Sequence, residues 1–171
     1  MKKFLITIAV SSLLSLSLQA ADVTTKITGV HLCCQSCVKG VQKAVDGTGA
    51  TATASQDDST VTLSGPDQAT VQKAADALVA AGYFGKSSDS SIKLNANTGA
   101  KDQSVKSLDM EGVHLCCQKC VKAVNTALGG VKGVTGNTAA KGAKTFTVNG
   151  DFNDKEAFDA LQKAGLTGQA K

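Results

Sequence analysis

The hydrophobic and polar positions of the chain follow a regular series of patterns. Residues 22–30 (DVTTKITGV) alternate between the two classes, which is typical of a strand with one buried face. Residues 38–45 carry valines at helical spacing, with lysines on the opposite face. Two β-like runs at 50–56 and 59–65 suit a hairpin, and residues 66–81 again show a helical stripe. The pattern therefore predicts strand, helix, strand, strand, helix, with room for a short last strand.

The same series recurs 83 residues further along the chain. HLCCQSCVKGV at 31–41 returns as HLCCQKCVKAV at 114–124 with two of eleven positions changed. A unit of this length is a duplicated domain, because solenoid repeats are shorter and need several copies. The repeat predicts one domain at 21–90 and another at 103–171. The polar segment 91–102 is predicted to be the linker between them.

The element order predicts an α+β fold of two tandem ferredoxin-like (βαββαβ) domains, each with an antiparallel sheet and its helices on one face. Gly82 and Gly165 follow the second helix of each copy and are predicted C-caps. Asn153 and Glu156 have the spacing of a capping box ahead of the last helix.

Residues 1–20 (MKKFLITIAVSSLLSLSLQA) are predicted to be a cleavable signal peptide. Lys2 and Lys3 precede an apolar stretch, and Ala20 and Ala21 provide small residues at a cleavage site. The apolar stretch is about 15 residues, against the roughly 20 that a spanning helix needs, which makes an uncut anchor the weaker alternative. The expected location is therefore periplasmic or secreted.

Composition argues against several classes of function. Without Lys2 and Lys3 the formal charge falls from +4 to +2, and the chain has no Arg, no Trp and one Tyr. Nucleic-acid surfaces use guanidinium groups and stacking rings, so no nucleic-acid partner is expected. No Ser-His-Asp set, carboxylate pair or phosphate loop occurs in the sequence, and the protein is not expected to be an enzyme.

Each copy carries a Cys-x-x-Cys motif between the first strand and the first helix. In the first copy the motif is formed by Cys34 and Cys37, and in the second by Cys117 and Cys120. One sulfur is expected in the loop and the other in the first helical turn, where unpaired N–H groups and the helix dipole lower thiol pKa values. Two neighbouring thiolates suit soft ions such as Cu(I) better than Mg²⁺ or Ca²⁺.

This pattern resembles the heavy-metal-associated domain family, which includes copper chaperones, modules of metal-transporting ATPases and periplasmic mercury-binding proteins. The resemblance covers nearly all of the mature chain, twice. It implies that the metal ligands are Cys34, Cys37, Cys117 and Cys120. Leu32 and Leu115 take the place of the family's buried Met. Gly82-Tyr83 matches the family's closing Gly-Tyr, and Gly165-Leu166 matches it less well.

The sequence departs from the family pattern just before the motif. Cys33 and Cys116 replace a small hydroxyl residue, while His31 and His114 replace a Gly. These four residues are candidate additional ligands. A third thiolate would permit trigonal coordination, which favours thiophilic ions without selecting among them.

The resulting hypothesis is an exported binding protein for soft heavy-metal ions that acts in carriage, buffering or detoxification by thiolate exchange at exposed loops. Cu(I) is the favoured ion, with Hg(II) and Zn(II) as alternatives. A metal-transporting membrane protein or another Cys-rich carrier is the expected partner.

Two alternatives remain open from the sequence. Six cysteines in an exported chain could form disulfides, including a Cys34–Cys37 bridge or a Cys33–Cys116 link between domains. A thiol-disulfide redox protein is the second, although no copy shows the aromatic residue or the cis-Pro candidate typical of thioredoxin-like motifs.

Overall fold

The computed structural model describes residues 22–171, so the predicted signal peptide lies outside the described residues. The first half contains β1 (Val23–Thr28), α1 (Gln35–Val45), β2 (Thr51–Ser55), β3 (Thr60–Gly65), α2 (Gln68–Ala80) and β4 (Lys86–Ser87). The second half contains β5 (Ser104–Glu111), α3 (Gln118–Gly129), β6 (Val134–Asn137), β7 (Thr145–Asn153), α4 (Asp154–Lys163) and β8 (Gln169–Ala170). No helix of this part of the chain has the length and hydropathy to cross a membrane.

The two halves form separate four-stranded sheets with the same topology. The strand orders are β2-β3-β1-β4 and β6-β7-β5-β8, with antiparallel pairing throughout. In β1 the alternation buries Thr25 and Ile27 and exposes the residues between them. The two helices of each half pack on each other and on the sheet. The predicted pair of ferredoxin-like domains is confirmed.

The helix ends follow the chemistry that the sequence indicates. Asn153 Oδ1 accepts hydrogen bonds from the N–H groups of Lys155 and Glu156, as an N-cap does. Gly82 and Gly165 follow the second helices at φ of +85° and +78°, a conformation that favours glycine. The two glycines thus end the helices as predicted, each one residue beyond the C-cap residue, which is Ala81 in α2 and Ala164 in α4.

The two domains contact each other directly through the segments that follow α2 and α4. Tyr83 and Leu166 form an isolated antiparallel bridge. Phe84 N donates to Gly165 O at 3.1 Å, and Thr167 N donates to Gly82 O at 3.0 Å. Because these residues correspond under the 83-residue offset, the two halves are related by an approximate twofold axis at this bridge.

The segment between the sheets is held against the domains. Ile92 is 1% exposed and belongs to the core. Gln72 exchanges two hydrogen bonds with the backbone of Lys93, at 2.7 and 2.8 Å. Thr98 O accepts from Ala170 N at 2.8 Å. The predicted linker 91–102 thus crosses from β4 to β5 along protein surface. Its boundaries stay a prediction.

Candidate metal centre

The Cys loops are placed by the starts of the first helices. Cys34 and Cys117 are the N-cap residues of α1 and α3, with extended backbones. Their carbonyl oxygens accept from Cys37 N at 2.9 Å and from Cys120 N at 3.1 Å, which fixes the second sulfur in the first helical turn. Just before these loops, Leu32 and Leu115 are each 4% exposed, so the apolar anchors predicted at these positions are buried.

The six cysteine sulfurs of the two loops lie together in one six-sulfur cluster. Its members are Cys33, Cys34, Cys37, Cys116, Cys117 and Cys120, all free thiols. The shortest contact crosses the domain boundary, from Cys33 Sγ to Cys117 Sγ at 3.3 Å. The contacts Cys33–Cys120 and Cys37–Cys116 also cross it, both at 3.5 Å. The two Cys-x-x-Cys motifs, one in each copy, therefore do not form separate sites, because the twofold relation of the halves brings them together.

Contacts within each loop complete the cluster. In the first loop Cys37 Sγ lies 3.6 Å from Cys33 Sγ and 3.8 Å from Cys34 Sγ. In the second loop Cys120 Sγ lies 3.7 Å from Cys116 Sγ and 3.8 Å from Cys117 Sγ. Cys37 and Cys120 meet each other across the boundary at 3.9 Å. Every sulfur therefore touches at least one sulfur of its own loop and at least one of the other loop.

Both histidines stand beside the cluster. A ligand nitrogen of His114 lies within 4.8 Å of the sulfurs of Cys37, Cys116 and Cys120. A ligand nitrogen of His31 lies within the same distance of the sulfurs of Cys33 and Cys120. The geometry thus brings together all eight residues that the sequence nominated, while their roles as ligands stay a prediction.

Tyr83 fixes the orientation of His114. The Tyr83 hydroxyl donates to Cys37 O at 2.9 Å and lies 3.1 Å from His114 Nε2. The hydroxyl has one proton, which it gives to the carbonyl, so His114 Nε2 must carry the proton of their shared hydrogen bond. In a neutral His114 ring, Nδ1 would then be the nitrogen that carries the lone pair.

No tyrosine hydroxyl contacts His31, because Leu166 occupies the position equivalent to Tyr83. His31 Nε2 is buried and has no hydrogen-bond partner among the described residues. Desolvation lowers the pKa of His31, since burial disfavours the charged ring. The two halves of the centre therefore share their sulfurs but differ in what surrounds the imidazoles.

The thiol pKa values are set mainly by the other thiols. Hydrogen bonding with Cys120 holds the pKa of Cys37 far below its ordinary value, and the same interaction, together with burial, raises the pKa of Cys120. Burial raises the pKa of Cys33 to about 12. Cys37 and Cys120 occupy equivalent helical positions and shift in opposite directions. The first-turn position therefore does not by itself decide which of these two sulfurs carries the proton.

Backbone N–H groups lower the pKa of Cys117, as expected at the start of a helix. Burial raises its pKa, but the N–H groups of Cys120 and Lys119 and the Cys33 thiol lower it more, to about 6. Without metal, the cluster thus combines thiolates with thiols that donate hydrogen bonds to them. Each thiol that binds a metal ion would release its proton.

The cluster is enclosed. Cys37 and Cys120 are fully buried and the other four cysteines are partly buried. The loops are exposed at Gln35–Ser36 and Gln118–Lys119, as expected, but the sulfurs of each loop are partly covered by the other loop. The predicted alternative of a Cys33–Cys116 bridge also has less geometric support than Cys33–Cys117, since the cross-domain contacts of Cys33 are with Cys117 and Cys120.

Sequence reasoning missed the structural roles of Gly40 and Tyr83. A Cβ at Gly40 would collide with the Tyr83 hydroxyl, so the glycine makes room for that group. One sequence signal could have revealed this pair: Gly40 becomes Ala123 in the second copy, where Tyr83 becomes Leu166.

No protein-family model and no curated protein sequence matches the chain. Among solved structures, a copper binding domain from HMA7, a P-type ATPase, matches with 20% identity and a TM-score of 0.36, covering 39% of this chain and 95% of its own. The apo form of the HMA domain of a copper chaperone for superoxide dismutase matches with 26% identity and a TM-score of 0.35, covering 42% of this chain and 74% of its own.

The N-terminal soluble domains of Bacillus subtilis CopA match with 14% identity and a TM-score of 0.34, over 89% of this chain and 95% of that one. TM-scores this low carry no argument, so the fold assignment depends on the strand order described above. The solved structures to which the chain is similar are heavy-metal-associated and copper-binding domains, the group that the sequence motifs resemble.

Proposed function

We propose that the protein binds soft metal ions, Cu(I) foremost, at the six-sulfur cluster. The observation that carries this proposal is the convergence of six free thiols from two loops, with contacts of 3.3 to 3.9 Å between their sulfurs. Thiolates select Cu(I) and similar ions over hard cations, and no carboxylate joins the groups of ligand atoms found in the described residues. Hg(II) and Zn(II) are the alternative ions.

The enclosure of the centre favours buffering or detoxification over rapid carriage. An incoming thiolate from a partner would have to reach metal held between two loops whose central sulfurs are fully buried. Transfer by ligand exchange therefore requires the domains to part. A metal-transporting membrane protein or another Cys-rich carrier remains the partner whose ligands suit such an exchange.

Thiol-disulfide catalysis is less well supported by the same geometry. Exchange with a substrate disulfide needs an accessible attacking thiolate. Cys37 and Cys120 are 0% exposed, and each of the partly buried cysteines contacts a sulfur of the other loop. We expect no turnover in an insulin-reduction assay, and measurable turnover would favour the redox alternative.

Anaerobic titration of the reduced protein with Cu(I), Hg(II) and Zn(II), each against a competing chelator, tests the proposal. The variant Cys34→Ser/Cys117→Ser removes one sulfur from each Cys-x-x-Cys motif and should lose metal capacity. Ser36→Ala is a matched control, because Ser36 is exposed in the same loop and should leave capacity unchanged. If the double variant binds as much metal as the parent, the ligand set is wrong.

Export through the signal peptide is part of the proposal and depends on residues 1–20 alone. Cell fractionation combined with amino-terminal sequencing tests it. We expect the chain in the exported fraction, beginning near Ala21. Full-length chain retained in the cytoplasm would contradict it.

A further inference from the structure

We propose that the six-sulfur cluster holds one polynuclear Cu(I)–thiolate core of about four ions per chain, shared by both domains, in place of one ion per Cys-x-x-Cys motif. This inference depends on the proposed metal binding but is separable from it, because a chain that binds one ion in each domain would satisfy the first proposal alone.

The contacts between sulfurs do not divide into two sites. If each loop held its own ion, the shortest distances between sulfur atoms would be those between cysteines of the same loop. Instead Cys33 Sγ is closer to Cys117 Sγ, at 3.3 Å, than to Cys37 Sγ of its own loop, at 3.6 Å. A thiolate with sulfur neighbours on both sides of the boundary is placed to bridge two ions.

Counting bonds gives the size of the core. If each of the six thiolates bridges two ions, the cluster supplies roughly twelve metal–sulfur bonds, enough for about four three-coordinate Cu(I) ions. The additional thiols Cys33 and Cys116 make this possible. The two Cys-x-x-Cys motifs alone provide four sulfurs, sufficient for about two ions with two sulfurs each.

Charge is compatible with the larger core. Six thiolates with about four Cu(I) ions carry about two negative charges, as do four thiolates with about two ions when the other thiols keep their protons, so the larger core adds no charge to a site whose central sulfurs are fully buried. Loading six protonated thiols with about four Cu(I) ions releases about six protons to solvent, and each sulfur that is already a thiolate lowers this number by one. Lys119, Lys122 and Lys163 line a cavity that also includes His31, and their positive charges are placed to offset the remainder.

The sharpest test compares the mature parent chain with Cys33→Ser/Cys116→Ser. This variant keeps both Cys-x-x-Cys motifs and removes only the thiols that the core additionally needs. Reduced protein is loaded anaerobically with Cu(I), passed through a desalting column in the presence of a Cu(I) chelator, and assayed for copper per chain. We expect a twofold loss, from about four ions to about two. Ser36→Ala should retain the parent's loading.

X-ray absorption at the copper edge provides the second readout. The parent should show scattering between neighbouring copper atoms, and Cys33→Ser/Cys116→Ser should lose it. Sedimentation of the loaded parent should give the mass of one chain, because all bridging sulfurs come from the same molecule.

The possible failures are distinguishable. A parent that binds no copper contradicts the proposed function. A parent that binds about two ions without copper–copper scattering, and keeps that loading in Cys33→Ser/Cys116→Ser, supports metal binding and overturns the shared core. A copper core that appears only as chains dimerise also overturns it.

Discussion

The two halves of the molecule share the sulfur centre and differ in how they support it. Tyr83 of the first half donates to Cys37 O and lies against His114 of the second half, and Gly40 leaves space for the Tyr83 hydroxyl. Leu166 takes the equivalent position in the second half, and His31 Nε2 of the first half is buried without a partner in the described part of the chain. The cysteines are thus present in both copies, whereas a tyrosine hydroxyl beside a histidine is present at only one of the two equivalent positions. The difference separates the proposed metal ligands from the residues that place the loops.

The largest change in stability is expected when Tyr83 of the first half is replaced by leucine, the residue at the equivalent position of the second half. Tyr83→Leu removes two hydrogen bonds and leaves the buried Cys37 O and the partly buried His114 Nε2 without this partner, so the free energy of unfolding should fall by about 2–4 kcal/mol. Urea unfolding of the reduced, metal-free protein measures this loss.

Tyr83→Phe is the matched control for that variant. It keeps the ring and removes only the hydroxyl, and should cost about 1–2 kcal/mol. If Tyr83→Leu leaves the urea midpoint unchanged, the hydrogen bonds of Tyr83 do not stabilise the fold.

The starts of the second helices provide a second contrast. In α2 the exposed Asp67 caps the helix by accepting from Thr70 N at 2.7 Å. In α4 the buried Asp154 instead accepts from Lys101 N and Gln103 N, at 2.8 and 2.9 Å, and so ties the incoming chain to the helix. Burial raises the pKa of Asp154, but these backbone hydrogen bonds outweigh it and the pKa is lowered.

Asp154→Asn should therefore destabilise the protein by about 1–3 kcal/mol at neutral pH, because an amide cannot accept both bonds as a carboxylate does. The pKa of Asp154 is lower in the folded protein than in the unfolded chain, where it is 3.8. The carboxylate therefore stabilises the fold at pH values above 3.8, and this stability is lost as the pH falls through the folded pKa. Urea midpoints between pH 7 and pH 2 measure the difference.

The parent should lose more stability than Asp154→Asn over the acid part of that range. Asp67→Asn is the control and should change the midpoint little, since Asn is an equally good N-cap. If the urea midpoints of the parent and of Asp154→Asn change with pH in parallel, the Asp154 carboxylate does not stabilise the fold.

Much of the fold was predictable because it follows from local pattern. The alternation in β1, the helical stripe of α1 and the glycine caps at 82 and 165 each depend on residues close in sequence. The loop position of Cys34 and the burial of Leu32 were predictable for the same reason. In these elements the period of the hydrophobic residues matches the period of the backbone.

The merging of the two sites was not predictable, because it depends on how the domains meet. The contact is made by backbone hydrogen bonds around Gly82 and Gly165 and by the Tyr83–Leu166 bridge, none of which leaves a periodic signal. The linker did not indicate the contact either, because the buried Ile92 and the partly buried Leu94 stand in an otherwise mostly polar segment. Thiol pKa values were missed for the same reason, since the controlling neighbours belong to the other loop.

The smallest net change in stability is expected when the second half receives the tyrosine and the glycine of the first half. Leu166→Tyr alone should cost about 1–3 kcal/mol, because the new hydroxyl would meet the Cβ of Ala123 as the Tyr83 hydroxyl would meet a Cβ at Gly40. Ala123→Gly alone should cost about 0.5–1 kcal/mol, since glycine is unfavourable inside a helix.

Together, Ala123→Gly/Leu166→Tyr should leave the stability near that of the parent. The glycine makes room for the hydroxyl, which can then bond to His31 Nε2, the buried nitrogen that has no partner in the described residues. The measurable quantity is the coupling in a double-mutant cycle, which should favour the pair by at least about 1 kcal/mol. If the stability changes of the two single variants simply add, a tyrosine at position 166 does not reach His31. The twofold correspondence of the halves would then hold for the sulfurs but not for these surrounding residues.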